Sequence, residues 1–100
     1  MAEGEKNMAM IETDKKHFKQ INIYLVDGSR YVINPLDDGL VKYVKGNFYA
    51  GYNIGISKNE AKSISHEWFF EGRVIRRQHI DNIGVTGSNI ISIEFLECKE

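Results

Sequence analysis

Apolar and polar residues alternate most cleanly from Gln20 to Val26, with Ile21, Ile23 and Leu25 on one side and Asn22, Tyr24 and Val26 on the other. A period of two residues is that of a half-buried strand. Asp27-Gly28 follows as a tight-turn signal, and Arg30 to Asn34 returns as a β-branched and aromatic run. The pattern predicts a hairpin in which Leu25 and Ile23 meet Tyr31 and Ile33 on one half-buried face.

The period then lengthens. Asn34 is placed to cap free amides, Pro35 suits a first helical position, and Asp37 and Asp38 would sit at the positive end of the helix dipole. Leu36, Leu40 and Val44 fall four residues apart, and Gly46 follows Lys42 and Lys45 as a left-handed cap. A helix over about 35–45 is expected. Asn47 to Ile56 mixes aromatics with Gly51 and Gly55 and reads as a bent strand. Ser57-Lys58-Asn59-Glu60 has capping-box spacing, which predicts a short helix over about 58–65.

Two further hairpins are expected. Glu67 to Phe70 and Arg73 to Arg77 flank Glu71-Gly72, and Gln78 to Val85 and Ile90 to Leu96 flank Thr86 to Asn89. In the last strand Ile91, Ile93 and Phe95 share a face. Upstream, Met8, Ile11 and Phe18 give a short helix over 9–18 a partial apolar face, behind a flexible tail at residues 1–10. The expected fold is α+β: a mostly antiparallel sheet of about five or six strands with one or two short helices, closure into a small barrel-like sheet being a variant. Residues 11–100 would form that single domain.

Composition narrows the functional classes. The 100 residues carry a net charge of −1, so no strong overall field steers a polyanion to the molecule. The N-terminal MAEGEKNMAM lacks the apolar stretch of a secretory signal, and no run approaches a membrane span, so a cytoplasmic protein is expected. The one cysteine, Cys98, excludes an internal disulfide framework and reads as a free thiol. Ile, Lys and Asn, with A/T-rich codons, number 13, 9 and 8 against four Ala, as in an A/T-rich bacterium or its phages.

Candidate chemistry is sparse. His17, His66 and His79 stand far apart, and only His79 and Asp81 would share a strand face, which is too few ligands for a metal site. They are expected to be exposed polar residues. Ser63, Ser65 and Ser88 lie in no nucleophile elbow, Asp37 and Asp38 point apart on a helix, and Gly46, Gly51 and Gly55 match neither a P-loop nor a dinucleotide fingerprint. No catalytic, cofactor-binding or metal residues are assigned, and no enzyme is expected.

The informative stretch is Trp68 to His79, where aromatic residues precede Arg73, Arg76 and Arg77 across a turn. Strict alternation puts Arg73, Ile75 and Arg77 on one side and Val74 and Arg76 on the other, so the arginines share a face only through a bulge. Such a strand is either a charged, self-protecting edge or an interface anchored by Trp and Arg. Tyr43, Phe48, Tyr49 and Tyr52 form a second aromatic group that is partly core. The leading expectation is a small non-catalytic module that docks on a protein partner through Trp68, Arg73, Arg76, Arg77, Tyr49 and Tyr52. A phage or mobile-element accessory that modulates a host protein is one version of it, with homo-oligomerisation left open. The alternatives are a nucleic-acid-binding regulator using the Arg73–Arg77 hairpin, and a small-ligand binder with a pocket between subunits.

Overall fold

The computed structural model describes residues 17–98. The expected tail at 1–10 lies outside them, as does the expected helix at 9–18 except at its end, where Phe18 opens a strand instead. The described chain runs β1 (Phe18–Leu25), β2 (Arg30–Pro35), α1 (Asp38–Ala50), β3 (Ile54–Ser57), β4 (Ala61–Phe70), β5 (Arg73–His79), β6 (Asn82–Val85), a 3-10 turn at Gly87–Asn89, and β7 (Ile90–Glu97). This is the expected α+β class. Five strands form an open antiparallel sheet in the order β5-β4-β2-β1-β7, and β3 and β6 pair as a second, two-stranded sheet. No helix among the described residues is long and apolar enough to cross a membrane.

The first hairpin forms with the expected face. Its register differs from the expected one by two residues: Ile23 rather than Leu25 meets Tyr31, and Ile21 rather than Ile23 meets Ile33. Its loop is one residue longer than a two-residue turn: the Leu25 N–H bonds the Ser29 carbonyl at 2.9 Å, and only Gly28 takes positive φ, at 92°. Asp27 holds the loop by accepting from the Ser29 N–H at 2.8 Å and from its hydroxyl at 2.6 Å.

The helix is displaced towards the C-terminus from its expected position. Pro35 closes β2, and Asn34 is held extended by the following proline, its amide bonding the Lys19 carbonyl. Asp37 therefore caps α1, accepting from the Gly39 and Leu40 amides at 2.9 and 3.4 Å. Gly46 is passed over, and the helix ends at Gly51 (φ 78°), whose N–H reaches Phe48 O while Tyr52 N–H reaches Asn47 O. Leu40, Val41 and Val44 are buried, whereas Leu36 precedes the helix and is exposed.

The expected helix at 58–65 does not form. Ser57 and Glu60 do bond reciprocally, Ser57 N–H to the Glu60 carboxylate at 2.9 Å and Glu60 N–H to Ser57 O at 2.9 Å, but they close a turn into β4. The capping chemistry is local, and sheet pairing sets the conformation of the residues after it. The third hairpin is likewise replaced: β6 pairs with β3, Ile56 against Ile83, and β7 pairs with β1. A register shift after Tyr24 leaves Ile91 outside the ladder, so Ile90, not Ile91, joins Ile93 and Phe95 against the core.

One face of the main sheet carries Ile21, Ile23, Leu25, Ile33 and Ile64, and packs under α1 and the β3–β6 sheet. The opposite face is polar. On it Gln20 bonds Asn22, Asn22 and Tyr24 bond Glu94, Arg30 bonds Tyr24 and Glu67, and Arg77 bonds Glu67. That chain of side chains crosses all five strands.

Candidate functional site

The β4–β5 hairpin turns on Glu71 and Gly72, both at positive φ (51° and 79°), a two-residue turn whose twist suits the strands. β2 pairs with β4 only as far as Glu67, so Trp68, Phe69 and Phe70 extend beyond it with β5 as their sole partner strand. Every residue of β5 is exposed.

A bulge rearranges the side chains of this arm. Trp68 pairs with Arg76 and Phe70 with Arg73, while Phe69 pairs with Val74, so Ile75 is the extra residue. Arg73 and Arg76 consequently share a face with Trp68 and Phe70. Arg77 faces the other way, opposite Glu67. The bulge needed to unite two arginines is present, and the third is excluded by it.

On the Trp68 face the rings stack in a row across three strands. Tyr31 lies 4.5 Å from His66, His66 lies 3.9 Å from Trp68, and the Arg76 guanidinium sits 4.7 Å over the Trp68 ring. Phe70, 63% exposed, lies on the same face nearer the turn, paired with Arg73. At its inner end the row meets a cleft of about 270 Å³ lined by Asp27, Tyr31, His66, Val85 and Thr86.

His66 is thus half-buried and stacked rather than exposed, correcting the expectation for it; His17 and His79 are exposed as expected. Its Nε2 lies 2.8 Å from the Ser29 hydroxyl, which gives its own proton to Asp27. The histidine must therefore be the donor, which fixes the proton on Nε2. Ser29 is buried with its proton committed to a carboxylate, so this Asp–Ser–His row orients a ring and does not activate a nucleophile. Burial lowers the His66 pKa, the Asp27 charge opposing and Arg76 adding to the fall. Hydrogen bonds from Ser29 likewise lower the Asp27 carboxyl.

On the reverse face Glu67 is 2% exposed and clamped from both sides. Arg30 donates to Oε1 through Nε at 2.8 Å and Nη2 at 2.7 Å, and Arg77 to Oε2 through Nε at 2.7 Å and Nη2 at 2.6 Å. Burial alone would raise the Glu67 pKa, but the bonds and charges of the two arginines outweigh it and hold the carboxyl below its ordinary range. Arg30 also lies 5.1 Å over the Phe69 ring.

Of the sequence-predicted docking residues, the structure joins Trp68, Arg73 and Arg76. Arg77 is neutralised on the opposite face. Tyr49 and Tyr52, 77% and 65% exposed, stand at the helix C-terminus and stack on none of them. Among the described residues no three His, Cys, Asp or Glu side chains gather as a metal site would require. Tyr31, Ser29 and Asp27 went unselected in the sequence because their meeting with His66 depends on the pairing of β2 with β4. Comparison with protein-family models, curated proteins and solved structures returned no match.

Proposed function

We propose that this chain is a small non-catalytic docking module whose β4–β5 arm grips a protein partner, with Trp68 and Phe70 as apolar anchors and Arg73 and Arg76 as the charged contacts. The observation that carries the reading is the bulge at Ile75, which places these four side chains on one face of a protruding hairpin. Trp and Arg are the residue types that most often dominate interface energetics, and a guanidinium stacked on a ring is already ordered before a partner arrives. The composition fits an accessory protein of an A/T-rich bacterium or phage that acts on a cytoplasmic host protein.

Panning a random peptide library against the immobilised chain tests this, since selected peptides concentrate at hot-spot surfaces. The expected binders weaken by about tenfold or more with W68A and R76A, and are indifferent to Y49A and Y52A. Binders indifferent to W68A and R76A would remove the reading.

The same union of rings and arginines also supports a second reading, single-strand nucleic-acid binding. Its signature is oligonucleotide affinity that collapses between about 50 and 200 mM salt. Only Arg73 and Arg76 on this face lack a carboxylate partner among the described residues, which favours the protein reading.

A further inference from the structure

We infer that the outer edge of β5 is a strand-addition site for an extended, acidic segment of a partner protein, one with carboxylates at alternate positions. The inference rests on the docking reading above and names the partner's chemistry.

β5 is the last strand of its sheet and is paired only with β4. Alternate N–H and C=O groups of such a strand point away from its neighbour, spaced to receive another polypeptide. The strand is exposed along its whole length, apolar Val74 and Ile75 included.

Charge chooses the occupant. β5 reads Arg73-Val74-Ile75-Arg76-Arg77-Gln78-His79 and contains no carboxylate. Arg77 is satisfied by Glu67, whereas Arg73 and Arg76 have no acidic partner among the described residues. The bulge brings these two into line with Phe70 and Trp68, which are two residues apart on β4. A regular strand laid along the outer edge therefore meets them with side chains at alternate positions, and carboxylates there form cross-strand ion pairs.

A second copy fits less well. Pairing β5 with itself supplies no carboxylate in any register, and the register centred on Arg76 sets it against its own copy and Arg73 against His79. At the other free edge, β7, Glu94 is already bonded by Asn22 and Tyr24. Nucleic acid could satisfy the guanidinium groups and, through its phosphates, single amides, but it presents no alternating donors and acceptors at strand spacing.

The test uses the full ¹⁵N-labelled chain and a peptide of about ten residues alternating Glu and Val, enough to span a strand of ordinary length. Titration is expected to shift the β5 amide resonances, to slow hydrogen exchange at the outward-facing β5 amides, and to weaken by about tenfold or more in R73E/R76E. R73Q/R76Q, with intact resonance dispersion, gives the same loss if the double reversal misfolds. A Lys-Val peptide and an N-methylated Glu-Val peptide are expected not to bind. Equal binding by either control overturns the inference, as does a silent titration at about millimolar peptide. Concentration-dependent self-association protecting β5, or an oligonucleotide that shifts β5 where the peptide does not, also overturns it. If panned peptides still require Trp68 and Arg76 while β5 exchange is unchanged, strand addition falls and the docking face stands. If nothing depends on the hairpin, both fall.

Discussion

Arg30 and Arg77 bond the same carboxylate with closely similar geometry, yet their removal is expected to differ about threefold in cost. Replacing either with Met keeps the aliphatic stem and deletes the charge. The Glu67 side chain is 3% exposed, and the Arg30 side chain only 21%, so the Arg30–Glu67 pair is shielded from water. Arg30 also donates to the Tyr24 hydroxyl at 3.0 Å and lies over Phe69. Stranding a buried carboxylate outright costs about 3–5 kcal/mol. Because Arg77 remains to share the charge, R30M is expected at the lower end, about 3 kcal/mol. Arg77 is 59% exposed, and water both screens its pair and replaces it when lost, which puts R77M at about 1 kcal/mol or less. Urea denaturation at pH 7, with unchanged m-values, reads the difference directly. The R30M deficit should persist on mild acidification. The Glu67 pKa is depressed in the folded state, so its contribution is complete above the unfolded carboxyl value and is lost only as pH falls through the lower folded value. R77M costing as much as R30M, or R30M costing under about 1 kcal/mol, would refute the burial argument.

His66 has a folded pKa below its ordinary value, so its contribution is complete above about pH 6.5 and fades as pH falls through the folded value. The urea midpoint should therefore rise from about pH 5 to 7, and H66Q, which keeps a donor for Ser29, should flatten that rise; an unchanged slope removes the assignment. Glu71 holds a left-handed backbone, and E71N or E71G is expected to gain about 0.5–1 kcal/mol by thermal or urea unfolding. A Cβ at Gly87 would lie 2.5 Å from the Gly51 carbonyl oxygen, so G87A should lose about 1–3 kcal/mol in the same assay. Deleting Ile75 removes the bulge and leaves Arg73 opposite Phe70, an NMR-visible pairing that should survive together with peptide binding.

What the sequence made legible was local. The alternation of Ile21, Ile23 and Leu25, the Asp27-Gly28 turn and the Glu71-Gly72 turn act within a few residues, and the structure contains them, the first turn lengthened by one residue. The helix was legible in kind but not in bounds, because the pairing of β2 with β4 took Asn34 and left the cap to Asp37, whose sequence reading was only that of a charge in the first turn. The Ser57–Glu60 exchange formed without its helix for the same reason. The meeting of β3 with β6 and of β7 with β1 depends on distant partners and leaves no short-range mark. So does the candidate site: no glycine signals the bulge at Ile75, the Tyr31–His66–Trp68 row exists only once β2 lies beside β4, and the Glu67 clamp needs β5 as well.

The clamp on Glu67 also bears on how the sheet assembles. If β5 slipped by one residue against β4, Arg77 would turn to the opposite face. A slip of two would set Ile75 or His79 across from Glu67 in place of the guanidinium. The slip of two, and the slip of one that brings Gln78 rather than Arg76 opposite Glu67, would leave the buried carboxylate with one arginine in place of two. At the cost given for R77M, about 1 kcal/mol or less, the clamp biases β5 towards its aligned register and leaves the rest of the choice to the other cross-strand pairs.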